Sequence, residues 1–230
     1  MPASRIRIAP SILAWDLGDL GRAVEISEEG GADQVHLDVI DGHFAPNITF
    51  GPGTVKALRK RTDLKLDTHL MIDEPRLYVE KFLDAGSDLV TPHAEVLDAR
   101  RFDEISTLVK GRGKQLGLAI KPGTELPAWA AARLDLLSAI IVMTVNPGFS
   151  GQTMDMSVMP KLEAVSNLVR DKGAATDIEI DGGVEPENVR EVVRRGGNVL
   201  VAGAGVYAKP DPVKAIGILR EHAEKARLVA

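Results

Sequence analysis

Eight short apolar runs recur along the chain, each followed by a stretch with helical spacing, and this alternation narrows the fold more than any other feature. The runs are RIRIAP (5–10), QVHLDVI (34–40), LKLDTHLM (64–71), DLVTPHA (88–94), QLGLAI (115–120), AIIVMTV (139–145), DIEID (177–181) and NVLVAG (198–203). Helical spacing of apolar residues falls near 18–30, 53–60, 75–85, 100–111, 155–172, 186–195 and 210–226, with a weaker helix over 125–136. In the third of these, DEPRLYVEKFLDAG, Asp73 reads as the N-cap, Pro75 as first turn and Gly86 as stop. Strand and helix in strict alternation over 230 residues is the period of a (β/α)8 barrel in the α/β class. A doubly wound open sheet is the other arrangement with this pattern, but no GxGxxG follows the first strand. No Pro/Gly/Ser-rich linker interrupts the chain, so residues 1–230 read as one domain.

Composition removes several functions. A net charge of −5 argues against a surface for nucleic acid or an anionic membrane, and leaves room for a local pocket that takes a small anion. Apolar runs such as AIIVM are far too short to span a bilayer. There are no cysteines, which excludes disulfides and thiolate metal sites. The opening MPASRIRIAPSIL has no signal-peptide core, and a cytoplasmic protein is the expectation.

The titratable residues follow strand parity. His36 and Asp38 stand two apart and point to one face, and Asp67, His69 and Met71 share one face in the next strand. Asp181 ends the seventh strand. In a barrel, inward positions at C-terminal strand ends form the active-site floor, so three strands deliver His36, Asp38, His69 and Asp181 to one mouth. A single histidine there is more often hydrogen-bonded core than ligand. Two imidazoles and two carboxylates together suit one borderline divalent ion: Zn, Fe(II), Mn or Co. Asp67 is a candidate for orienting a ligand or a plain hydrogen-bonded aspartate, and His93 either reaches the mouth from the fourth strand or, as is commoner, serves core or loop packing. Glycine-rich turns NPGFSG (146–151), DGGV (181–184) and AGAGVY (202–207) follow later strands, where barrels of this kind bind phosphate.

The segments IAPSIL, VHLDVIDGHFAPNITFGP, HLMI, VMTVNPGFSGQ, IDGGV and LVAGAGV, spread in order over the chain, closely resemble the ribulose-phosphate 3-epimerase family. The resemblance implies a TIM barrel of the ribulose-phosphate-binding type. It implies a divalent metal and interconversion of D-ribulose 5-phosphate and D-xylulose 5-phosphate in pentose phosphate metabolism. It maps metal binding onto His36, Asp38, His69 and Asp181, and the acid/base roles onto Asp38 and Asp181. Substrate contacts fall on Ser11, on His69 and on the loop Gly148, Phe149, Ser150 and Gly151; Gly182, Gly183, Gly203 and Ala204 complete them. Ile40 stands where the family usually has methionine, and Ala204 where its last glycine loop usually has serine. Trp15 occupies a position where small residues are common, either at the entrance or in packing. An epimerase of a longer ketose phosphate such as D-allulose 6-phosphate shares these features. The related decarboxylases carry Asp-x-Lys-x-x-Asp on the third strand, whereas this chain reads DTHLMI. A barrel that only binds sugar phosphates would lack the acid/base pair or the ligands. The expected partner is a small ketose phosphate, and Trp129 is a candidate contact for a homo-oligomer.

Overall fold

The computed structural model describes residues 5–228. Eight parallel strands alternate with helices: β1 (Arg7–Pro10), β2 (Gln34–Ile40), β3 (Lys65–Met71), β4 (Leu89–Pro92), β5 (Gln115–Ile120), β6 (Ala139–Met143), β7 (Asp177–Asp181) and β8 (Val199–Ala202). The ladder runs β1-β8-β7-β6-β5-β4-β3-β2. A single parallel bridge from Ser11 to His36 joins its ends, so two residues from the expected site sit on the closing seam of the barrel.

The main helices are α1 (Leu20–Glu29), α2 (Pro52–Arg59), α3 (Val79–Ala85), α4 (Ala99–Gly111), α5 (Ala128–Ala131), α6 (Met159–Asp171), α7 (Val189–Arg194), α8 (Ala204–Tyr207) and α9 (Pro212–Arg227). Side chains cap several where the sequence offers an aspartate: Asp19 accepts from the Arg22 N–H, Asp98 from Arg101 and Asp211 from Lys214. Asp73 is not such a cap. A 3-10 turn, Pro75–Leu77, begins after Glu74 with no side-chain cap, and α3 follows it. The Asp73 N–H instead donates to Asp41 Oδ2 at 2.9 Å, which ties the loop after β3 to the loop after β2. Gly86 does end α3. The weak helix over 125–136 splits into α5 and a 3-10 turn, Leu134–Leu136. The turn 202–207, read as a glycine loop, holds the four-residue helix α8.

Period-2 alternation separates two apolar regions. Val35, Leu37 and Val39 of β2 face outward and pack with Leu66, Leu70, Phe82 and Phe102 beneath the helices. Each such fully buried side chain contributes about 1.5–3 kcal/mol. Inside the barrel, Ile40, Met71, Ala119, Ile141 and Met143 form a separate cluster near the strand C-termini. Trp129 lays its ring against Phe102, with centroids 5.4 Å apart, and is partly buried in the helix layer. Trp15 packs on Tyr207 at 5.6 Å. No helix among the described residues is long and apolar enough to cross a membrane.

Candidate active site and metal centre

Adjacent strands of the barrel carry the charged residues in register: Asp38 pairs with His69, and His36 with Asp67. Parity turns all four inward. β7 brings Asp181 to the same level, two residues after Glu179. His36, Asp67, His69 and Glu179 are completely buried, while Asp38 and Asp181 keep a few per cent of exposure and open into a cavity of about 360 Å³.

Hydrogen bonding determines which ring nitrogen of His36 faces the centre. Nδ1 lies 2.8 Å from Asp67 Oδ2, a carboxylate that can only accept. Gln34 donates to the same oxygen at 3.0 Å. Nδ1 therefore carries a proton, and Nε2, the nitrogen left for an ion, faces Asp38 Oδ1 at 3.4 Å, Asp181 Oδ2 at 3.9 Å and His69 Nδ1 at 3.4 Å. His69 Nδ1 lies 3.3 Å from both Asp38 Oδ1 and Asp181 Oδ2. Asp38 spends its other oxygen on the Ser11 hydroxyl, which donates to it at 2.5 Å.

Four ligand atoms, two ring nitrogens and two carboxylate oxygens, thus lie within 4.8 Å of one another. Lone pairs turned on one another in a buried space repel unless positive charge sits among them. This donor set fits a divalent ion of the borderline class. The same need for positive charge shows in the ring titrations. Burial pushes both imidazoles down, yet the surrounding carboxylates outweigh it, lifting His36 well above its usual value and His69 to about 9. Asp38 is held well below the usual carboxylate range, because the His36 charge overcomes the cost of burial.

A second carboxyl pair lies beneath. Glu179 Oε1 is 3.1 Å from His36 Nδ1. Burial first, and then the negative charge of Asp67, raise Glu179 to about 8, so it is a neutral acid at neutral pH. Asp67 stays ionised: the His36 charge offsets its burial. On the far side of the centre, His69 Nε2 meets His93 Nε2 at 2.8 Å, and His93 Nδ1 meets Glu95 Oε2 at 2.9 Å. Burial lowers His93 to about 4, against the opposing pull of Glu95.

The cavity wall above the centre is apolar on one side, lined by Ile40, Met71 and Met143. Its other end is backbone. Gly148, Phe149, Ser150 and Gly151 from the loop after β6, Gly182 and Gly183 after β7, and Gly203 and Ala204 after β8 all line it, with Ser11 between. The Gly182 carbonyl accepts from Thr144 Oγ1 at 2.5 Å and the Gly183 carbonyl from Asn188 Nδ2 at 2.7 Å. In a trans peptide, N–H and C=O point opposite ways, so these two bonds orient the amides of Gly183 and Val184. Gln152 Nε2 donates to the carbonyls of Asn146 and Phe149 and holds the β6 loop in shape. Asn47, from the loop after β2, donates across the mouth to the Gly148 carbonyl at 2.7 Å. Phe149 itself is mostly exposed at the rim.

All four residues read as metal ligands, and every residue read as a substrate contact, therefore converge on one cavity and its floor. Glu179, Glu95, Thr144 and Asn188 were not singled out from sequence. Parity with Asp181 points to Glu179; the others depend on loop geometry that no local pattern carries. Lys121 stands outside the cavity, with its ammonium 3.7 Å over the Phe44 ring.

The model of the ribulose-phosphate 3 epimerase family matches residues 7–207. The chain is 44% identical over 216 residues to the ribulose-phosphate 3-epimerase of Bacillus subtilis, covering 94% of this chain and 98% of that protein. It is 41% identical over 213 residues to the chloroplastic ribulose-5-phosphate-3-epimerase of Arabidopsis thaliana, covering 93% and 75%. Among solved structures, 3-keto-L-gulonate-6-phosphate decarboxylase from Vibrio cholerae superposes with a TM-score of 0.73 at 16% identity, covering 96% of this chain and 99% of that one. The 3-hexulose-6-phosphate synthase from Salmonella typhimurium gives 0.71 at 16% identity, covering 96% and 100%. At such identities the two structures speak for the TIM-barrel fold alone. The sequence relatives and the family model span nearly the whole barrel and the whole site, and this chain belongs to the ribulose-phosphate 3-epimerase family.

Proposed function

We propose that the protein binds one divalent ion through His36, Asp38, His69 and Asp181 and interconverts D-ribulose 5-phosphate and D-xylulose 5-phosphate at C3. The observation that supports it is the pair of carboxylates, delivered by β2 and β7 to one buried pair of imidazoles at the floor of a cavity ringed by glycine backbone.

The C3 hydrogen lies next to the C2 ketone, so its removal leaves an enediolate. The bound ion supplies Lewis-acid stabilisation of that charge. Inversion requires a proton to leave from one face and return on the other. Asp38 is held ionised and serves as base on one face; Asp181 serves on the other as the acid, and the roles exchange in the reverse direction. The Ser11 hydroxyl holds Asp38 in place through its 2.5 Å bond and also reaches the cavity. Ile40, Met71 and Met143 exclude water from the flat intermediate. The β6 loop, the Gly182–Gly183 turn and the Gly203–Ala204 turn take the phosphate through backbone N–H groups, which leaves the missing hydroxyl at Ala204 without large effect. The loops after β2 and β6 act as lids. Residues 1–230 work as one domain, in the cytoplasm, in pentose phosphate metabolism.

Exchange in D₂O tests the assignment. Asp38→Asn and Asp181→Asn should each lower net epimerisation by about 10²–10⁴. Each variant should still exchange C3 of one epimer, served by the remaining carboxylate, and fail to exchange the other. Variants that exchange both epimers at the native rate would remove the two-aspartate mechanism. Faster turnover on a six-carbon ketose phosphate would move the substrate assignment.

A further inference from the structure

A histidine can ligate a metal only through a ring nitrogen without a proton, so something must keep the proton on the other nitrogen. Asp67 does this for His36. We propose, on the reading that this site holds a divalent ion, that His93 and Glu95 are positioning residues that lock His69 as its Nε2–H tautomer and so aim the Nδ1 lone pair at the centre.

The bonds form a one-way chain. The Lys121 backbone N–H donates to Glu95 Oε1 at 2.7 Å, and Glu95 Oε2 lies 2.9 Å from His93 Nδ1. A carboxylate has no proton to give, so the proton is on His93 Nδ1. A neutral imidazole carries one N–H, which leaves His93 Nε2 bare. That atom is 2.8 Å from His69 Nε2, a separation two bare nitrogens would not hold, so His69 supplies the proton. With an ion in place of its second proton, His69 has this single N–H, and the bare atom is Nδ1, 3.3 Å from the facing oxygens of Asp38 and Asp181.

Packing holds the chain in place. The His69 and His93 rings lie 18° from parallel with centroids 4.9 Å apart, nearly the separation of an in-line N–H···N bond between ring edges. Phe44 covers His93 at 4.5 Å, and a bridge from His93 to Ala119 pins its backbone to β5. His93 is completely buried, and an aliphatic side chain would fill the same space at lower desolvation cost. The polar residue is explained by what it does to His69, as Asp67 is by what it does to His36.

Zn²⁺ affinity of the purified protein, measured by competition with a chromophoric chelator, tests this without reference to turnover. Glu95→Ala and His93→Leu should each weaken Zn²⁺ binding about 10–100-fold, the usual effect of losing a ligand's orienting partner. His93→Gln keeps an acceptor for the His69 N–H and should restore most of that loss. Imidazole ¹⁵N shifts of chelator-treated protein above pH 9, where the His69 ring is neutral, should report His69 as Nε2–H in the native protein and as mixed tautomers in Glu95→Ala. Should His93→Leu not fold, the less buried Glu95→Ala decides. Native Zn²⁺ affinity and an unmixed His69 tautomer in folded Glu95→Ala would overturn the positioning role while leaving the metal reading intact. Native protein that takes up no Zn²⁺ would overturn both.

Discussion

One methyl group at residue 183 tests whether the cavity's backbone end is built by close approach. Gly183 has φ +62°, and a Cβ there would lie 2.4 Å from the Met154 nitrogen and 2.8 Å from the Gln152 carbonyl oxygen. Gly31 offers a matched control: φ is +70°, and a Cβ there would meet nothing within 4 Å. Both Gly→Ala changes pay the left-handed backbone penalty of about 1–2 kcal/mol, partly offset by about 0.4–1 kcal/mol from a stiffer unfolded chain. Gly31→Ala should therefore cost about 1 kcal/mol. Gly183→Ala adds overpacking against main chain that cannot rotate away, about 1–3 kcal/mol more, for a total of about 2–4 kcal/mol. For a chain of this size each kcal/mol lowers Tm by about 2–4 °C, so the expected losses are about 2–4 °C at Gly31 and about 4–16 °C at Gly183. Thermal unfolding of the two variants side by side isolates the crowding from the backbone strain. Steady-state kinetics should show KM for the phosphosugar raised by Gly183→Ala alone, because the 151–154 segment must shift. Equal Tm losses with unchanged KM would refute the claim that the β6 loop and the β7 turn touch here.

Phe102→Ala empties a fully buried site beneath α4 and should cost about 3–5 kcal/mol in urea unfolding, with red-shifted Trp129 emission as the ring contact is lost; an unshifted emission would contradict that contact. Divalent-ion affinity should rise with pH up to at least about 9, because His69 keeps its proton up to about 9 in the ion-free centre and the ion must displace it. The same raised value means that the His69 contribution to the stability of chelator-treated protein is full below pH 6.5 and is lost as pH rises through about 9, which denaturant melts at several pH values would show. Asn47→Ala removes the bond that joins the two lids and should lower kcat/KM about fivefold, the equivalent of roughly 1 kcal/mol; an unchanged value would uncouple the loops.

Much of the molecule was readable one residue at a time. Strands recur where β-branched and aliphatic residues cluster, and the seven stronger helices where apolar residues follow a 3.6-residue period, since each pattern needs only its own segment to bury one face. Asp73 is not a cap because the chain enters a 3-10 turn after Glu74, one residue later than the spacing implies, and α8 has no legible signal because a four-residue helix has no periodicity to show.

Parity alone puts His36 with Asp38, and His69 with Met71, on one face, the barrel reading turns that face inward, and the order of motifs along the chain carries the resemblance to the family. Tertiary structure decided everything that depends on which strands are neighbours. Asp67 meets His36 because β2 and β3 pair in one register; a slip of one residue would have turned Asp67 outward. The Glu95–His93–His69 chain joins β3 to the loop after β4, and Glu179 reaches His36 from across the barrel. Local sequence carries the direction of a side chain from its own strand, but hydrogen bonds and shifted protonation arise from distances between strands, and those exist only once the barrel has closed through Ser11 and His36.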